Sequence, residues 1–532
     1  MKSFCSFLLK NFYDENLDFL TNAKIQKIQQ PSRKELIIHL RNHHKTKKFY
    51  VNISPNFFHV CFASDENLRK REIEIPKVPP MFCMLLRKYL ENAKIVRAEI
   101  PDYERILELY FENYNEIGEK IEICLAIELM GRHSNIILYN VDGSKNRSAG
   151  EILGCMHNVG EEKSQIRELA GGLPYVYPPQ KIKKDFLKTT KEEFEKEKKT
   201  AQNTFYYLTY PILEDSDYDF DKLNKMFCEP KIFINNDDFS FFKKDENYKE
   251  TDFNTAIDFY WSKCQNEAIL KNLKSNLKNL IERKIKKQQK LLEKMENEVE
   301  KAKEFEKYKL FGDLIFANIY KIKIGDKWLI ANNFATNEET KIKLDENLSA
   351  SKNAQKYYKD YSKNKKTFEY TKHRLDETRD YLEYLKEAEL SAELIETSED
   401  LREFKENFEK EKPSKKTKTL QKIENITINE FDVYIGKNHF QNDWLLSKIA
   451  SSEDIWLHLK DSPSAHIIIK KQDKPIDEKI IFEAAKLVKF YSKARNSSKV
   501  SVIYTLRKFV RKIPKSKYGL VNYREEKEII ID

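Results

Sequence analysis

The sequence predicts a multidomain α+β protein in which a long helical arm lies between two mixed domains. A chain of 532 residues is too long to fold around one hydrophobic core. Charged residues make up 34% of it, a content typical of solvated helices joined to globular domains. Apolar residues alternate with polar ones near both ends of the chain. In the middle of the chain they recur every three, four or seven residues, as in long helices.

Strands lead the first domain, which is predicted to span residues 1–180. Alternation in three short runs predicts a β-meander over residues 34–64. The next segment, "PMFCMLLRKYLENA", has a proline near its start and predicts a helix. Three more strands follow, and a helical subdomain with loops is predicted over residues 181–257.

Helical periodicity predicts an antiparallel coiled-coil arm over residues 258–412, with a small hairpin near residues 312–335 where the chain turns back. The apolar residues of the arm recur at spacings of three, four or seven: Leu270, Leu273, Leu277, Leu280, Tyr361, Phe368, Leu375 and Leu382. The alternative is a plain helical bundle. So few apolar positions per heptad cannot fill a wide core, which favours two paired helices.

A polar, proline-containing linker is predicted at residues 413–420, and a small α+β domain over residues 421–532. The stretch "DIWLHLKDSPSAHIIIK", residues 454–470, is interpreted as the central hairpin of that domain. From Lys486 to Tyr518 the chain carries eleven Lys or Arg residues and no Asp or Glu. Such a run suits a phosphate backbone, because neutralised phosphates release counterions; the alternative is a solvated basic face.

Cysteine usage and hydropathy favour the cytoplasm. The seven cysteines are scattered and form no CxxC pair, so neither a disulfide framework nor a zinc site is expected. The apolar run at the amino terminus breaks at Lys10, which is unlike a signal peptide. No window approaches the roughly 20 apolar residues that span a membrane. We therefore expect a soluble cytoplasmic protein without a membrane partner.

Catalytic motifs are not evident. The single Gly-Lys pair stands outside a phosphate-binding loop, and neither an HExxH nor a GxSxG motif occurs. Asp454 and Asp461 could form a carboxylate pair, but solvated turn aspartates are commoner. His458 and His466 could bind a metal, but no third ligand follows at a suitable spacing. We therefore predict a protein that is not an enzyme, with no catalytic residue, metal or cofactor.

What remains is a surface rich in hydrogen-bond donors, which suits phosphates, riboses and exposed bases. RNA contact is predicted for Lys437, Asn438, Asn442, Asp443, Trp456, His458, Lys460, His466, Lys493, Arg495, Arg507, Lys508, Arg511 and Lys512. Trp456 would offer a stacking face; the alternative is that it belongs to the core.

A second polar cluster lies in "ELMGRHSNIIL", residues 128–138, between two apolar strands. Gly131 supplies the backbone freedom that a tight turn needs. Polar side chains follow it directly, namely Arg132, His133, Ser134 and Asn135. The Arg-His pair could bind phosphate; the alternative is a plain turn that faces solvent.

These stretches resemble a known family. "ELMGRHSNIIL" resembles the motif of the NFACT amino-terminal domain, and "GKNHFQNDWLLSKIA" with "DIWLHLKDSPSAHIIIK" resembles the RNA-binding module of the same family. Between them, "DENLSASKNAQKYYKDYSKNKK" and "GDLIFANIY" are similar to its coiled-coil segment. The sequence is therefore identified as a member of the NFACT family.

The resemblance implies a factor of ribosome-associated quality control. Such proteins bind the large ribosomal subunit obstructed by peptidyl-tRNA, recruit alanyl-tRNA and promote a template-independent alanine tail that marks the stalled chain for degradation. The ribosome forms the peptide bonds, so the factor needs no nucleophile, metal or nucleotide. The expected partners are the large subunit, peptidyl-tRNA and alanine tRNA. Other members have been described as fibronectin-binding proteins, so a surface adhesin is the alternative.

The resemblance also implies a first domain similar in fold to formamidopyrimidine-DNA glycosylases. Those enzymes use an amino-terminal proline as the nucleophile, whereas this chain begins Met1, Lys2, Ser3. Glycosylase chemistry, and DNA as a partner, are therefore not expected.

Some of the family's site residues are matched in this sequence and others are replaced. The first motif matches at Glu128 and from Met130 to Asn135. An Asp-Arg pair that the family uses in handling tRNA corresponds to Glu104 and Arg105, where the carboxylate is one methylene longer. The resemblance thus implies tRNA binding by Glu104, Arg105, Gly131, Arg132, His133, Ser134 and Asn135. In the second motif Ser464 replaces the glycine of the turn.

Overall fold

The structure is a computed structural model that describes residues 2–101, 104–114, 120–141, 150–162, 164, 166–179, 183–208, 213–333, 336, 338–410, 423–460, 462–472, 475–513 and 521–532. It divides into a first unit, residues 1–269, and a second unit, residues 270–532. Helices and sheets occur in both units, which confirms the predicted multidomain α+β class. The predicted linker at residues 413–420 lies outside the described residues, and the predicted domain boundaries stay predictions.

An antiparallel four-stranded sheet, in the order β1-β2-β3-β4, follows helix α1, Ser6–Leu20. Its strands are Lys24–Ser32 (β1), Glu35–Asn42 (β2), Lys45–Asn52 (β3) and His59–Ala63 (β4). The predicted meander is therefore confirmed and begins one strand earlier. Strand β1 was not predicted from the sequence. Its two fully buried residues, Ile25 and Ile28, stand three apart among lysines and glutamines, so apolar and polar residues do not alternate.

A second antiparallel sheet, in the order β5-β6-β7-β8-β9, comes after two helices, Asp65–Lys70 (α2) and Met81–Leu90 (α3). Its strands are Ile95–Glu99 (β5), Ile106–Tyr114 (β6), Lys120–Glu128 (β7), Asn135–Val141 (β8) and Ile152–Cys155 (β9). Helix α3 buries Phe82, Cys83 and Leu86 and packs against β1 of the first sheet and against β6 and β9 of the second. The predicted helix thus joins the two sheets.

Short elements complete the first unit. The helices are Lys191–Glu197 (α4), Ala201–Thr204 (α5) and Phe220–Cys228 (α6). A three-stranded sheet, in the order β11-β10-β12, comprises Ile232–Ile234 (β10), Phe239–Ser240 (β11) and Lys249–Thr251 (β12). Helices with loops are predicted here from the sequence, because strands of two or three residues are too short to show alternation.

Long helices form the predicted arm. They are Phe253–Ala302 (α7), Phe305–Ala317 (α8), Ala350–Leu394 (α9) and Ser398–Lys410 (α10). Within the second unit, Leu277 and Leu385 share one hydrophobic cluster, and Glu296 pairs with Arg379 at 2.8 Å. From the first of these contacts to the second, the residue number increases on α7 and decreases on α9. The two helices are therefore antiparallel, as predicted.

Two details of the arm differ from the prediction. Residues 312–317, expected in a hairpin, belong to α8, which packs against α9. The hairpin lies further along, at Trp328–Asn332 (β13) and Glu339–Lys343 (β14). Helix α10 joins α7 and α9 through Leu401 and Phe404, so this end of the arm is a three-helix bundle.

An antiparallel six-stranded sheet, in the order β15-β16-β18-β17-β19-β22, forms the carboxy-terminal part of the second unit. The strands are Glu424–Ile428 (β15), Phe431–Gly436 (β16), Ile455–Leu459 (β17), His466–Ile469 (β18), Val500–Leu506 (β19) and Lys527–Ile531 (β22), with Arg511–Lys512 (β20) and Val521–Asn522 (β21) paired separately. Strands β17 and β18 lie in the middle, which confirms the central hairpin.

Helices cover both faces of this sheet. Helix α12, Glu478–Phe490, packs on one face. The other face is covered by the π-helix Leu445–Ile449, which continues helix α11, His439–Trp444. Over the described ranges of the chain, no helix combines the length and the apolar character that crossing a membrane requires.

Candidate nucleic-acid interface

A tight turn joins β7 to β8 in the first unit. Residues Gly131–His133 form one turn of 3-10 helix, and Ser134 leads into β8. Gly131 has a φ of 64°, a left-handed conformation that glycine adopts without steric cost. A Cβ there would lie 3.6 Å from Phe58 Cε1, which is an ordinary contact. Backbone conformation, rather than lack of space, therefore favours glycine at this position.

Ser134 and Asn135 have internal partners and hold the turn in shape. Both side chains are buried. Ser134 Oγ accepts a hydrogen bond from Met130 N at 2.8 Å. Asn135 Nδ2 donates to His157 O at 2.8 Å, and its Oδ1 accepts from His157 N at 3.0 Å. These two predicted tRNA-binding residues are thus placed to support the turn.

Glu128, at the end of β7, is fully buried in a charged network. Arg167 binds both carboxylate oxygens, with 2.8 Å between Nη1 and Oε1. The Tyr175 hydroxyl donates to the same Oε1 at 2.9 Å. A carboxylate in the interior needs such donors because burial removes its hydration. Glu128 therefore ties the segment around Arg167 to the base of the turn.

Arg132 and His133 are the side chains that the turn exposes to solvent. Arg132 Nε donates to His133 Nε2 at 3.0 Å. A guanidinium has five N–H donors in a planar fork that matches the oxygens of a phosphate. The turn thus combines an internal part that fixes its shape with an outer part that can bind an anion.

Arg105 packs behind the same turn. Its guanidinium carbon lies 5.5 Å from the centre of the Phe58 ring, the ring that faces Gly131. Its Nη1 donates to Phe4 O at 3.4 Å, and its backbone oxygen accepts from Leu129 N at 2.8 Å. Burial lowers the pKa of this arginine. The structure therefore brings Arg105 and the turn together through Phe58.

Glu104 precedes Arg105 and is partly buried. Its backbone N–H donates to Pro101 O at 3.0 Å. The neighbouring residues 102 and 103 lie outside the described residues. The predicted tRNA contact of Glu104 stays a prediction.

A cavity of about 1510 Å³ opens beside the turn. Its apolar wall includes Met81, Met84 and Ile166, and Met81 is 87% exposed. Its cationic lining residues are Arg33, Lys88, Arg132 and Arg167. An apolar wall with cations around it suits an unpaired base and the phosphates beside it.

The cavity residues outside the motif were not predicted from the sequence. A signal was present in α3, where Met81, Met84 and Lys88 recur at spacings of three and four, between the buried positions of the helix. Arg33 and Arg167 lie far from the turn in sequence, and only the packing of α3 and the two sheets brings them to it. No local pattern could have identified them.

The central hairpin of the second unit is covered on both faces. Leu457 and Leu459 belong to the core under α12, and Trp456 belongs to the core on the opposite face. Trp456 is 0% exposed and His466 is 1% exposed. The structure thus supports the core alternative for Trp456. Stacking of a base on Trp456 would require this core to open.

Other predicted contact residues have structural partners. Asn438 caps α11 by accepting from Gln441 N at 2.9 Å, and Asn442 is buried. The Arg507 guanidinium donates through Nη2 to Leu446 O at 2.8 Å. His458 Nδ1 lies 2.7 Å from Leu459 O. These groups shape the sheet and its covering helix.

Five of the predicted cations are paired with carboxylates. The pairs are Lys437 with Glu424 at 2.6 Å, Lys460 with Glu528 at 2.7 Å, Lys493 with Glu389, Lys508 with Glu453 at 3.2 Å, and Lys512 with Asp443 at 2.5 Å. Exposed ion pairs contribute little stability, so Lys460 and Lys508, whose pairs are exposed on both sides, can exchange a carboxylate for a phosphate at low cost. Arg495 and Arg511 are exposed.

Metal ligation has no support in the described parts of the chain, where no three His, Cys, Asp or Glu side chains come together to bind an ion. The rings of His458 and His466 lie 5.1 Å apart, and burial lowers the pKa of His458 to about 4. Asp454 is held by Lys470 at 2.7 Å. Asp461, its suggested carboxylate partner, lies outside the described residues.

Comparison with protein families accounts for nearly the whole chain. The model of the NFACT N-terminal and middle domains matches residues 6–209 and 211–425. The model of the NFACT protein RNA binding domain matches residues 422–524. The second match contains strands β15 to β21 and helix α12, and it ends before β22.

Curated relatives match along the full length. The protein named Rqc2 homolog RqcH of Streptococcus pneumoniae strain D39 is 28% identical over 549 residues, covering 99% of this chain and 97% of that protein. The protein of the same name in Bacillus subtilis strain 168 is 27% identical, covering 96% of this chain and 95% of that protein.

A solved structure is also similar. The N-terminal part of the fibronectin/fibrinogen-binding protein of Streptococcus suis is 26% identical, with a TM-score of 0.42, and covers 49% of this chain and 100% of that one. The domain models, however, match well over half of the chain. The protein therefore belongs to the NFACT family.

Proposed function

We propose that the protein is an RNA-binding factor of ribosome quality control, which binds large ribosomal subunits obstructed by peptidyl-tRNA. The observation that carries this proposal is the similarity, over 99% of the chain, to a protein named Rqc2 homolog RqcH. The RNA binding domain at residues 422–524 supports it. The factor works in the cytoplasm, and the ribosome rather than this chain forms the peptide bonds.

The first unit, in this proposal, recruits alanyl-tRNA, so that the ribosome adds a template-independent C-terminal alanine tail to the stalled chain. The support comes from the exposed Arg132 and His133 beside a cavity that Arg33 and Lys88 also line. Cations next to an apolar wall can hold phosphates while an unpaired base enters the cavity. Arg105 supports the turn from behind through Phe58.

The test uses a double variant, Arg132→Ala with His133→Ala, because both side chains are exposed and their loss leaves the core intact. Arg41→Ala is the matched control, since Arg41 is an exposed arginine at the end of β2 in the same unit. Tagged proteins are purified from cells at moderate salt. The RNA that co-purifies is sequenced, and the carboxyl termini of stalled chains are identified by mass spectrometry.

Wild-type protein and the control should carry large-subunit RNA and one enriched tRNA, and the stalled chains should end in alanine. The double variant should retain the subunit RNA but lose the tRNA about ten-fold, the effect of removing one or two charged hydrogen bonds. Background RNA alone in the wild type would overturn the proposed function. Equal loss of tRNA and subunit RNA in the double variant would contradict the proposal that this turn binds tRNA without being needed for subunit binding.

A fibronectin-binding adhesin remains the alternative prediction. Protease treatment of intact cells separates the two functions, because a cytoplasmic factor is protected until lysis and an adhesin is digested at once.

A further inference from the structure

Helix α12 exposes aromatic rings on the side that faces away from the sheet. Its buried residues, among them Ile481, Ala485 and Val488, pack on the six-stranded sheet. Phe482 is 38% exposed and Phe490 is 43% exposed. The two rings are eight residues apart, which is about 12 Å along a helix. A single exposed apolar side chain is ordinary, whereas exposed rings grouped on one side of a helix indicate a surface with a partner.

Cations lie against these rings. Lys486 Nζ is 4.8 Å from the centre of the Phe482 ring, and the Arg495 guanidinium carbon is 3.9 Å from the centre of the Phe490 ring. The Tyr491 ring meets Phe490 edge to face, with centres 4.9 Å apart. Each ring thus has a cation beside it on one surface, the α12 face, which we define as Phe482, Lys486, Lys489, Phe490 and Arg495.

The net positive charge of α12 and the residues after it indicates what kind of partner this surface binds. Residues 478–495 carry five Lys or Arg residues against two Glu residues. Of the two glutamates, Glu483 pairs with Lys486 at 2.7 Å, an exposed pair that opens at little cost. A basic surface with exposed rings fits a polyanion that also has flat apolar faces. Single-stranded RNA has both, whereas a duplex hides its base faces in the stack.

We propose that the α12 face binds single-stranded RNA, with unpaired bases stacked on Phe482 and Phe490 and phosphates held by Lys486, Lys489 and Arg495. This inference rests on the proposed RNA-binding function and names the surface that carries it. Trp456 and His466 of the central hairpin are buried in the sheet, so the contact falls on the other side of α12.

The test measures binding of the full-length protein to two fluorescein-labelled probes, a ten-nucleotide oligouridine and a twelve-base-pair RNA duplex, by anisotropy at fixed salt. The variants are Phe482→Ala and Phe490→Ala. The matched control is Tyr370→Ala on α9, because Tyr370 is 65% exposed and has Arg374 at 5.6 Å from its ring in the same aromatic-to-cation arrangement. Phe490→Trp keeps a stacking ring and should restore binding.

Each phenylalanine variant should weaken oligouridine binding about ten-fold, the effect of losing one stacked base. Duplex binding should change less than two-fold, and Tyr370→Ala should bind both probes like wild type. Lys486→Ala should weaken both probes and lower the slope of log affinity against log salt by about one, because one phosphate contact is lost. Wild-type oligouridine affinity in the phenylalanine variants would overturn the inference.

Sedimentation of the same variants with large ribosomal subunits separates this inference from the proposed function. Suppose that wild-type protein binds subunits and that the phenylalanine variants bind oligouridine normally. RNA binding by the α12 face is then rejected, and the proposed function is retained. If wild-type protein fails to bind subunits, the function fails. Phenylalanine variants that lose subunits but keep oligouridine would show that the face binds protein, which also overturns the inference.

Discussion

Asp258, near the start of α7, is held in a buried network with the first sheet and α2. Its carboxylate accepts from Arg71 Nη1 and Asn67 Nδ2, each at 2.7 Å, and from Ser64 N at 3.0 Å. The Arg71 side chain is 0% exposed. Asp258→Ala leaves that guanidinium buried without its counter-charge, so it should destabilise the first unit by about 3–5 kcal/mol. Urea unfolding followed by tryptophan fluorescence measures the loss.

Asp65→Ala is the control for this prediction. Asp65 pairs with Lys48, but its side chain is 71% exposed. Exposed ion pairs contribute about 1 kcal/mol or less, because water replaces the lost partner. Similar losses in the two aspartate variants would show that burial is not the cause.

His439, at the start of α11, is fully buried against Tyr384 and Phe404, and burial lowers its pKa to about 3. In the unfolded chain its pKa is about 6.5, so the unfolded state binds the proton first as the pH falls. The stability that this neutral ring contributes is complete above pH 6.5 and is lost below it. Between pH 7 and pH 5 the loss should be about 2 kcal/mol.

The variant His439→Phe removes the titrating group, and neither ring nitrogen of His439 has a hydrogen-bond partner in the described part of the chain. The advantage of this variant over wild type should therefore grow by about 2 kcal/mol from pH 7 to pH 5. His373→Gln, at an exposed position of α9, should not reproduce this gain, because the substitution removes no buried ring. Urea unfolding at both pH values gives the comparison. Parallel pH profiles for wild type and His439→Phe would contradict the prediction.

Helices α8 and α9 approach each other closely at Gly312. A Cβ at this position would lie 2.9 Å from Tyr358 Cε1. The tyrosine ring is held in place, because its hydroxyl donates to Asp313 Oδ1 at 2.6 Å. Gly312→Val should therefore separate the two helices and destabilise this end of the arm by about 1–3 kcal/mol. Hydrogen exchange of the α8 amides measures the change.

A double-mutant cycle isolates this contact. In the background of Gly312→Val, the further change Tyr358→Ala should recover part of the protection of the α8 amides from hydrogen exchange. The methyl groups of the new valine can then fill the space that the tyrosine ring has left. Strictly additive effects of the two changes would mean that the ring is not what opposes the valine.

The whole molecule contains separate hydrophobic cores. One core cluster lies among residues 4–261, and the clusters of the six-stranded sheet lie among residues 431–531. Units with their own cores unfold independently. We therefore expect two unfolding transitions, of which Asp258→Ala shifts only the one for the first unit.

Tryptophan fluorescence can assign the two transitions. Of the four tryptophans, Trp261 lies in the first unit, and Trp328, Trp444 and Trp456 lie in the second. A Trp261→Phe variant therefore reports on the second unit alone. Its fluorescence transition should be the same with and without Asp258→Ala. A common shift would mean that the units unfold as one.

Much of the fold could be predicted from periodicity. Alternation over 34–64 indicated the meander, and the heptads at Leu375 and Leu382 indicated the paired helices, because both patterns record one buried face of a regular element. The very short strands β10 to β12 and the displaced hairpin of the arm could not be predicted. A run such as "GDLIFANIY" is apolar enough for either conformation, and packing against α9 selects the helix.

Most of the long helices and strands, the family and the turn at Gly131 could be predicted from the amino-acid sequence, since each depends on residues that are near one another in the chain. Which polar residues are available to a partner is visible only once the chain is folded. It buries Ser134, Asn135 and Trp456, and it exposes Arg132, His133 and the α12 face. Exposure depends on what packs against a residue, and those neighbours come from distant parts of the chain that no local pattern records.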